Sequence, residues 1–160
     1  MSLAELALAR TAVVLAHYII GAYGTTDMIR LKSGSSLSVD NEKAYCPSCG
    51  HELALHEQIP IVSFILHRGK CKYCGAPIPP EHELIETVVF AGMTLIAATS
   101  GFTWWGLLLN IIFYELFKAV YLITGKKRGV TSREEVMKSL KKNAIVFSLY
   151  GLIYSFQFLA

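Results

Sequence analysis

The sequence predicts an all-α integral membrane protein, with about four transmembrane helices and a small cytoplasmic four-cysteine module of zinc-ribbon type between helices 1 and 2. Three observations predict it. The chain is 53% hydrophobic and 17% charged, with a mean hydropathy of +0.44, well above the composition of soluble globular domains. Its apolar residues gather into runs that approach or exceed the roughly 20 needed to cross ~30 Å of hydrocarbon. Its four cysteines fall into two Cys-x-x-Cys pairs, Cys46/Cys49 and Cys71/Cys74, both inside the segment between the first two apolar spans.

The first helix is expected over residues 1–27. Thr11 to Thr26 is uncharged apart from His17, and Glu5 and Arg10 lie just upstream, where long side chains reach the interface. A cleaved signal peptide is the alternative; one preceding basic residue and the Ala-Tyr-Gly-Thr-Thr end argue against it. His17, alone among apolar neighbours, reads as a packed or interfacial residue. Residues 84–124 read as a helical hairpin. Only Glu86 and Glu115 are charged between Leu84 and Phe117, and Ser100-Gly101-Phe102 divides the run. Residues 143–160 carry no charged side chain and read as the last span.

Lysine and arginine placement orients these helices, because cytoplasmic loops hold the positive charge. Of 15 such residues, six lie between the first and second spans and seven between the third and fourth, whereas the 100–102 turn has none. The cysteine region therefore faces the cytoplasm. The net charge of +3 is a topology signal and an attraction to anionic lipid; no interleaved aromatic and basic pattern points to nucleic acid.

Cytoplasmic thiols stay reduced, so the cysteines of module 28–83 point to metal rather than disulfides. Cys46-Pro-Ser-Cys49-Gly50 and Cys71-Lys-Tyr-Cys74-Gly75 each let two sulfurs face one ion, and the trailing glycine suits a positive-φ turn. Four thiolates leave no open coordination position, so the expected cofactor is structural Zn²⁺, with iron as the alternative. His51, His56, His67 and His82 share this segment, but the sulfurs already complete the shell. Ile59 to Leu66 is apolar, in a loop too short to bury it, and is expected to dock on the membrane surface or the helix bundle. Metal binding would then supply folding energy to a module that burial alone cannot close.

Taken together, these residues resemble the N-terminal half of the type IV prepilin peptidases, bifunctional inner-membrane enzymes of type IV pilus and type II secretion systems. The matching set is Cys46-Pro47-x-Cys49-Gly50-His51, Ile59-Pro60, Ser63-Phe64, Arg68-Gly69-Lys70-Cys71-x-x-Cys74-Gly75-Ala76-Pro77-Ile78 and Glu86. Gly21-Ala-Tyr-Gly and Met28-Ile-Arg30 are similar more weakly. The resemblance implies a bacterial or archaeal cytoplasmic membrane location. In that family proteolysis uses two membrane aspartates, the second in a Gly-x-Gly-Asp motif. This sequence has only Asp27 and Asp40, both before the cysteine module, and no Gly-x-Gly-Asp. Glu115 falls near the first aspartate's place, but pairing with Lys118 one turn on is the simpler reading.

The catalytic residues are thus left unknown, and aspartic peptidase activity is not expected. Three readings remain open. The zinc module serves as a docking or assembly element for pilin-like precursors or an aspartate-bearing peptidase subunit. Alternatively the chain is an S-adenosylmethionine-dependent N-methyltransferase of processed pilins, or the zinc-bearing half of a split peptidase. Residues 125–142 add a basic amphipathic loop, with Thr131 or Ser132 and Glu135 as a capping box and Val136 and Leu140 as its apolar face.

Overall fold

The computed structural model describes residues 2–33, 45–46, 48–59, 61–124 and 133–159, with the side chains of 33, 55, 56 and 156–159 set aside. Asp40 and the Thr131/Ser132 cap lie outside the described residues. Among the described residues five α-helices and one 3-10 turn follow one another: α1 (Leu3–Ser33), the turn Leu55–Gln58, α2 (Val62–Leu66), α3 (Pro80–Thr99), α4 (Trp104–Thr124) and α5 (Arg133–Leu159). Apart from two isolated bridges, no strand is formed among the described residues.

Helix α1 opens on a reciprocal cap, in which Ser2 N–H donates to Glu5 Oε2 at 2.7 Å and Glu5 N–H to Ser2 Oγ at 3.2 Å. It continues past residue 27 to Ser33, because Met28 to Lys32 contains neither glycine nor proline and Arg30 and Lys32 suit a helix C-terminus. Helix α3 starts at Pro80, whose missing N–H costs nothing in a first turn. It ends on two bonds, Phe102 N–H to Ala97 C=O at 2.9 Å and Gly101 N–H to Ala98 C=O at 3.4 Å. Gly101 supplies the left-handed residue, φ +69°, that this helix stop requires. The turn sends α4 back along α3.

Pairs of touching residues give the register. Lys32 meets Glu81, His17 meets Thr94 and Arg10 lies over the Phe102 ring, so α1 and α3 run antiparallel. Asn110 meets His17 and Lys118 meets Asp27, so α4 runs parallel to α1; Asn110 meets Tyr150 and Lys118 meets Ser139, so α5 runs antiparallel to α4. The four long helices make one bundle.

Its polarity is inverted relative to a soluble protein. Leu15, Ile19, Leu95, Ile112, Leu116, Ile145, Leu149 and Leu152 all project outward, while His17, Asp27, Asn110, Lys118, Ser139 and Asn143 are buried. An apolar exterior of that extent would aggregate in water and is at home in lipid. Among the described residues three helices, α1, α3 and α4, are long and apolar enough to cross a membrane. The span expected over 143–160 falls on α5, which is not among those three. It shares one unbroken helix with Lys138, Lys141 and Lys142, and the side chains of 156–160 lie outside the described residues.

Polar and aromatic anchors mark both ends of the bundle. At one end Trp104 and Trp105 are exposed on the first turn of α4. At the other, Lys32 Nζ donates to Glu81 Oε1 at 2.8 Å, Tyr121 OH donates to the same oxygen at 2.8 Å, and Lys32 lies over the Tyr121 ring. From Trp104 to Tyr121 a helix rises roughly 26 Å, close to the hydrocarbon thickness of a bilayer.

Candidate metal centre and buried polar cluster

Between α1 and α3, the described residues around 45–52 and 70–77 fold as two copies of one local design. Each begins with a residue pair bridged across a tight loop, Tyr45 to Glu52 in the first and Lys70 to Pro77 in the second. In the first loop Gly50 N–H donates to Cys46 C=O at 2.8 Å and Cys46 N–H to His51 C=O at 2.9 Å. In the second, Gly75 N–H donates to Cys71 C=O at 2.9 Å and Cys71 N–H to Ala76 C=O at 2.8 Å. Gly50 and Gly75 carry φ of +70° and +71°. Only glycine takes that conformation without cost, which is why each knuckle closes there.

This geometry brings Cys46, Cys49, Cys71 and Cys74 together, with all four sulfurs within 4.8 Å of one another. Cys46 Sγ and Cys74 Sγ are 3.9 Å apart. Tetrahedral Zn²⁺ with bonds of about 2.3 Å needs sulfurs about 3.8 Å apart, so the cluster fits a zinc ion. None of the four is in a disulfide. The Ser48 and Cys49 N–H groups hold the Cys46 thiol down to about 7. The His51 N–H pulls on Cys49 in the same sense, but desolvation and the sulfurs of Cys74, Cys46 and Cys71 outweigh it and push that thiol up to about 11. Sulfurs this close resist ionising together, and a divalent cation relieves that repulsion.

Among the described residues, no histidine joins the sulfur cluster. His51 stacks on Tyr73 with ring centroids 3.4 Å apart, His67 ends α2, and His82 sits in the first turn of α3; the His56 side chain is not described. Glu57 is buried and ties the module together: it accepts from Ala54 N–H at 3.0 Å and from Tyr73 OH at 3.1 Å, with Lys72 at 3.6 Å. That bond to the carboxylate raises the Tyr73 phenol. Phe64 packs beside Gly69, and Ile61 N–H donates to Glu83 Oε2 at 3.2 Å, joining the module to α3.

A second cluster lies inside the bundle. Lys118 Nζ donates to Asp27 Oδ2 at 2.6 Å and also bonds Ser139 Oγ, whose hydroxyl donates to the same Asp27 oxygen at 2.6 Å. Here the structure corrects the expected Glu115–Lys118 pair. Glu115 Oε1 accepts from Asn143 Nδ2 at 2.7 Å instead. The reason is angular: Gly106, Asn110, Tyr114 and Lys118 recur every four residues and form the buried face of α4, whereas Glu115 sits on the neighbouring stripe facing α5. Lys118 therefore reaches inward to a buried aspartate rather than along its own helix.

Nearer the other end, His17 Nε2 lies 2.6 Å from Tyr150 OH and His17 Nδ1 lies 3.2 Å from Thr94 Oγ1, while Asn110 Nδ2 donates to Tyr150 OH at 2.9 Å. All four long helices contribute one member. His17 is thus a packed residue, as its apolar setting suggested. In lipid, such bonds pin helix to helix where apolar contact gives no preference over lipid.

Comparison with known proteins places the cysteine module in context. The family model of the bacterial peptidase A24 N-terminal domain matches residues 14–100, which take in α1 from Val14, the module and α3. The prepilin leader peptidase/N-methyltransferase of Myxococcus xanthus is 33% identical over 87 residues, 54% of this chain and 23% of that protein. Its counterpart in Pseudomonas aeruginosa is 39% identical over 72 residues, 39% of this chain and 25% of that protein. That of Aeromonas hydrophila is 27% identical over 109 residues, 68% of this chain and 37% of that protein. The chain thus spans roughly a quarter to two fifths of the length of these relatives. No solved structure matches. By the extent of the family match, this chain belongs to the bacterial peptidase A24 N-terminal domain family.

Proposed function

We propose that this is a multi-pass protein of a bacterial or archaeal cytoplasmic membrane, with α5 as a fourth span. Cys46, Cys49, Cys71 and Cys74 hold a structural Zn²⁺ that closes a cap on the cytoplasmic side. The cap serves as a docking or assembly element for pilin-like precursors or for a separate aspartate-bearing peptidase subunit. The observation that carries this reading is the sulfur cluster: two matched knuckles bring Cys46, Cys49, Cys71 and Cys74 within 4.8 Å of one another. Asp27 is committed to Lys118 and Ser139 inside the bundle and serves packing there.

The concentration of lysine and arginine at residues 30–72 and 126–142 supports the cytoplasmic orientation. The relatives' printed names, prepilin leader peptidase/N-methyltransferase, support the choice of partner. The module's two knuckles and buried Glu57 give it a defined surface without a large apolar core, which suits recognition rather than enclosed chemistry.

The test is retention of an immobilised pilin-like precursor by the full chain purified in detergent. Capture by the native chain, lost in Cys71→Ser while helix content persists, is the expected result. Equal capture by both would overturn the role given to the cap. Labelled S-adenosylmethionine added to the same complex after leader removal separates docking from catalysis. Methyl transfer to the processed pilin would make the chain an N-methyltransferase instead.

A further inference from the structure

Helix α2 has no buried residue. Val62, Ile65 and Leu66, at i, i+3 and i+4, share one face and are 50%, 68% and 71% exposed, with Ile59 just before them at 41%. Ser63 and Phe64, turned the other way, are half-buried against the module. A face this apolar on a module this small needs a cover.

Its height relative to the bundle suggests which one. The Ile61 N–H to Glu83 bond, 3.2 Å, fixes the start of α2 beside the first turn of α3, a helix apolar enough to span the membrane. Two residues before Glu83, Glu81 belongs to the Lys32–Glu81–Tyr121 group that marks this end of the bundle. The apolar face therefore sits at the level where hydrocarbon gives way to head groups. The chain that follows it is basic: Arg68, Lys70 and Lys72 are exposed within six residues of Leu66. An apolar stripe flanked by exposed cations is the composition that binds an anionic lipid surface.

We propose that α2 is an interfacial anchor, with Ile59, Val62, Ile65 and Leu66 inserted among the acyl chains of the leaflet on the cap's side and Arg68 and Lys70 on anionic head groups. The metal-closed module is then held down at two places, the start of α3 and the underside of α2. Its orientation to the bundle is fixed by lipid as well as by protein. This inference concerns the underside of the cap and does not depend on which protein the cap receives.

The test uses the full zinc-loaded chain with Trp104 and Trp105 changed to Phe and a single tryptophan introduced as Leu66→Trp or, separately, Ile65→Trp. Each is reconstituted into vesicles of phosphatidylcholine with or without phosphatidylglycerol, and zinc content is measured on the same samples to confirm that the cap is folded. The anchor requires that acyl-brominated lipid quench the new tryptophan at least twofold while aqueous acrylamide quenches it weakly. It also requires the lipid quenching to fall when phosphatidylglycerol is omitted or when Arg68→Gln and Lys70→Gln are combined. Strong acrylamide quenching with no effect of brominated lipid at both positions would show an exposed face and overturn the proposal. Shielding from both quenchers would show a protein cover, a second copy or another part of the chain, and would overturn it equally.

Discussion

Lys118 on α4 reaches across to Asp27 on α1, 2.6 Å away, and both are almost fully buried in a bundle whose outside is hydrocarbon-like. A charge at that depth is tolerated only because its partner is present. Removing one partner strands the other. Lys118→Met or Asp27→Leu alone is expected to destabilise the bundle by about 3–5 kcal/mol, whereas the two together cost much less. Thermal unfolding of the detergent-solubilised protein, followed by helix signal, measures this. Additive losses in the double variant would show that the two residues act separately. Ser139→Ala, which removes a neutral partner from the same site, is expected to cost only about 1 kcal/mol.

Close approach of α1 and α4 depends on Gly24. A methyl group there would come within 2.6 Å of the buried Tyr114 ring, which has no room to withdraw. Gly24→Val is expected to cost about 1–3 kcal/mol through overpacking. Shortening the opposing side chain with Tyr114→Leu in the same molecule should recover part of that loss in the same thermal assay. An unchanged transition in Gly24→Val would mean the helices are not packed at this point.

The knuckle glycines make a different kind of prediction, because a Cβ at Gly75 or Gly50 meets nothing within 4 Å. Substitution there is costly only through backbone conformation, about 1–2 kcal/mol for a residue forced to positive φ. Gly75→Ala should therefore weaken zinc binding roughly 5- to 30-fold in competition with a chromophoric chelator. Gly75→Asn should weaken it less, since asparagine tolerates that region better. Equal affinities for all three would show that the turn is not strained.

Much of this fold was legible in the sequence because its strongest signals are local. The hairpin at Ser100-Gly101-Phe102 follows from one glycine between two apolar runs, and the paired knuckles follow from cysteine spacing plus a trailing glycine. The buried cluster was not legible, because Asp27, Lys118 and Ser139 lie on three helices and only register brings them together. A faint sign was present: Gly106, Asn110, Tyr114 and Lys118 recur at helical spacing along a greasy helix, an unexpectedly polar stripe. Reading charges by sequence distance alone joined Glu115 to Lys118, whereas burial decides the partner. Hydropathy sees the edge of the membrane and not the end of a helix, and α1 runs on past residue 27 to Ser33.

Metal closure of the cap is the claim on which the rest depends, and elemental analysis of the purified full chain tests it most directly. The account requires about one zinc ion per chain, lost in a Cys71→Ser, Cys74→Ser double variant whose residues 45–79 become open to protease while the bundle keeps its helix content. A native chain without metal whose cap nonetheless resists protease would contradict it, as would full zinc content in the double variant.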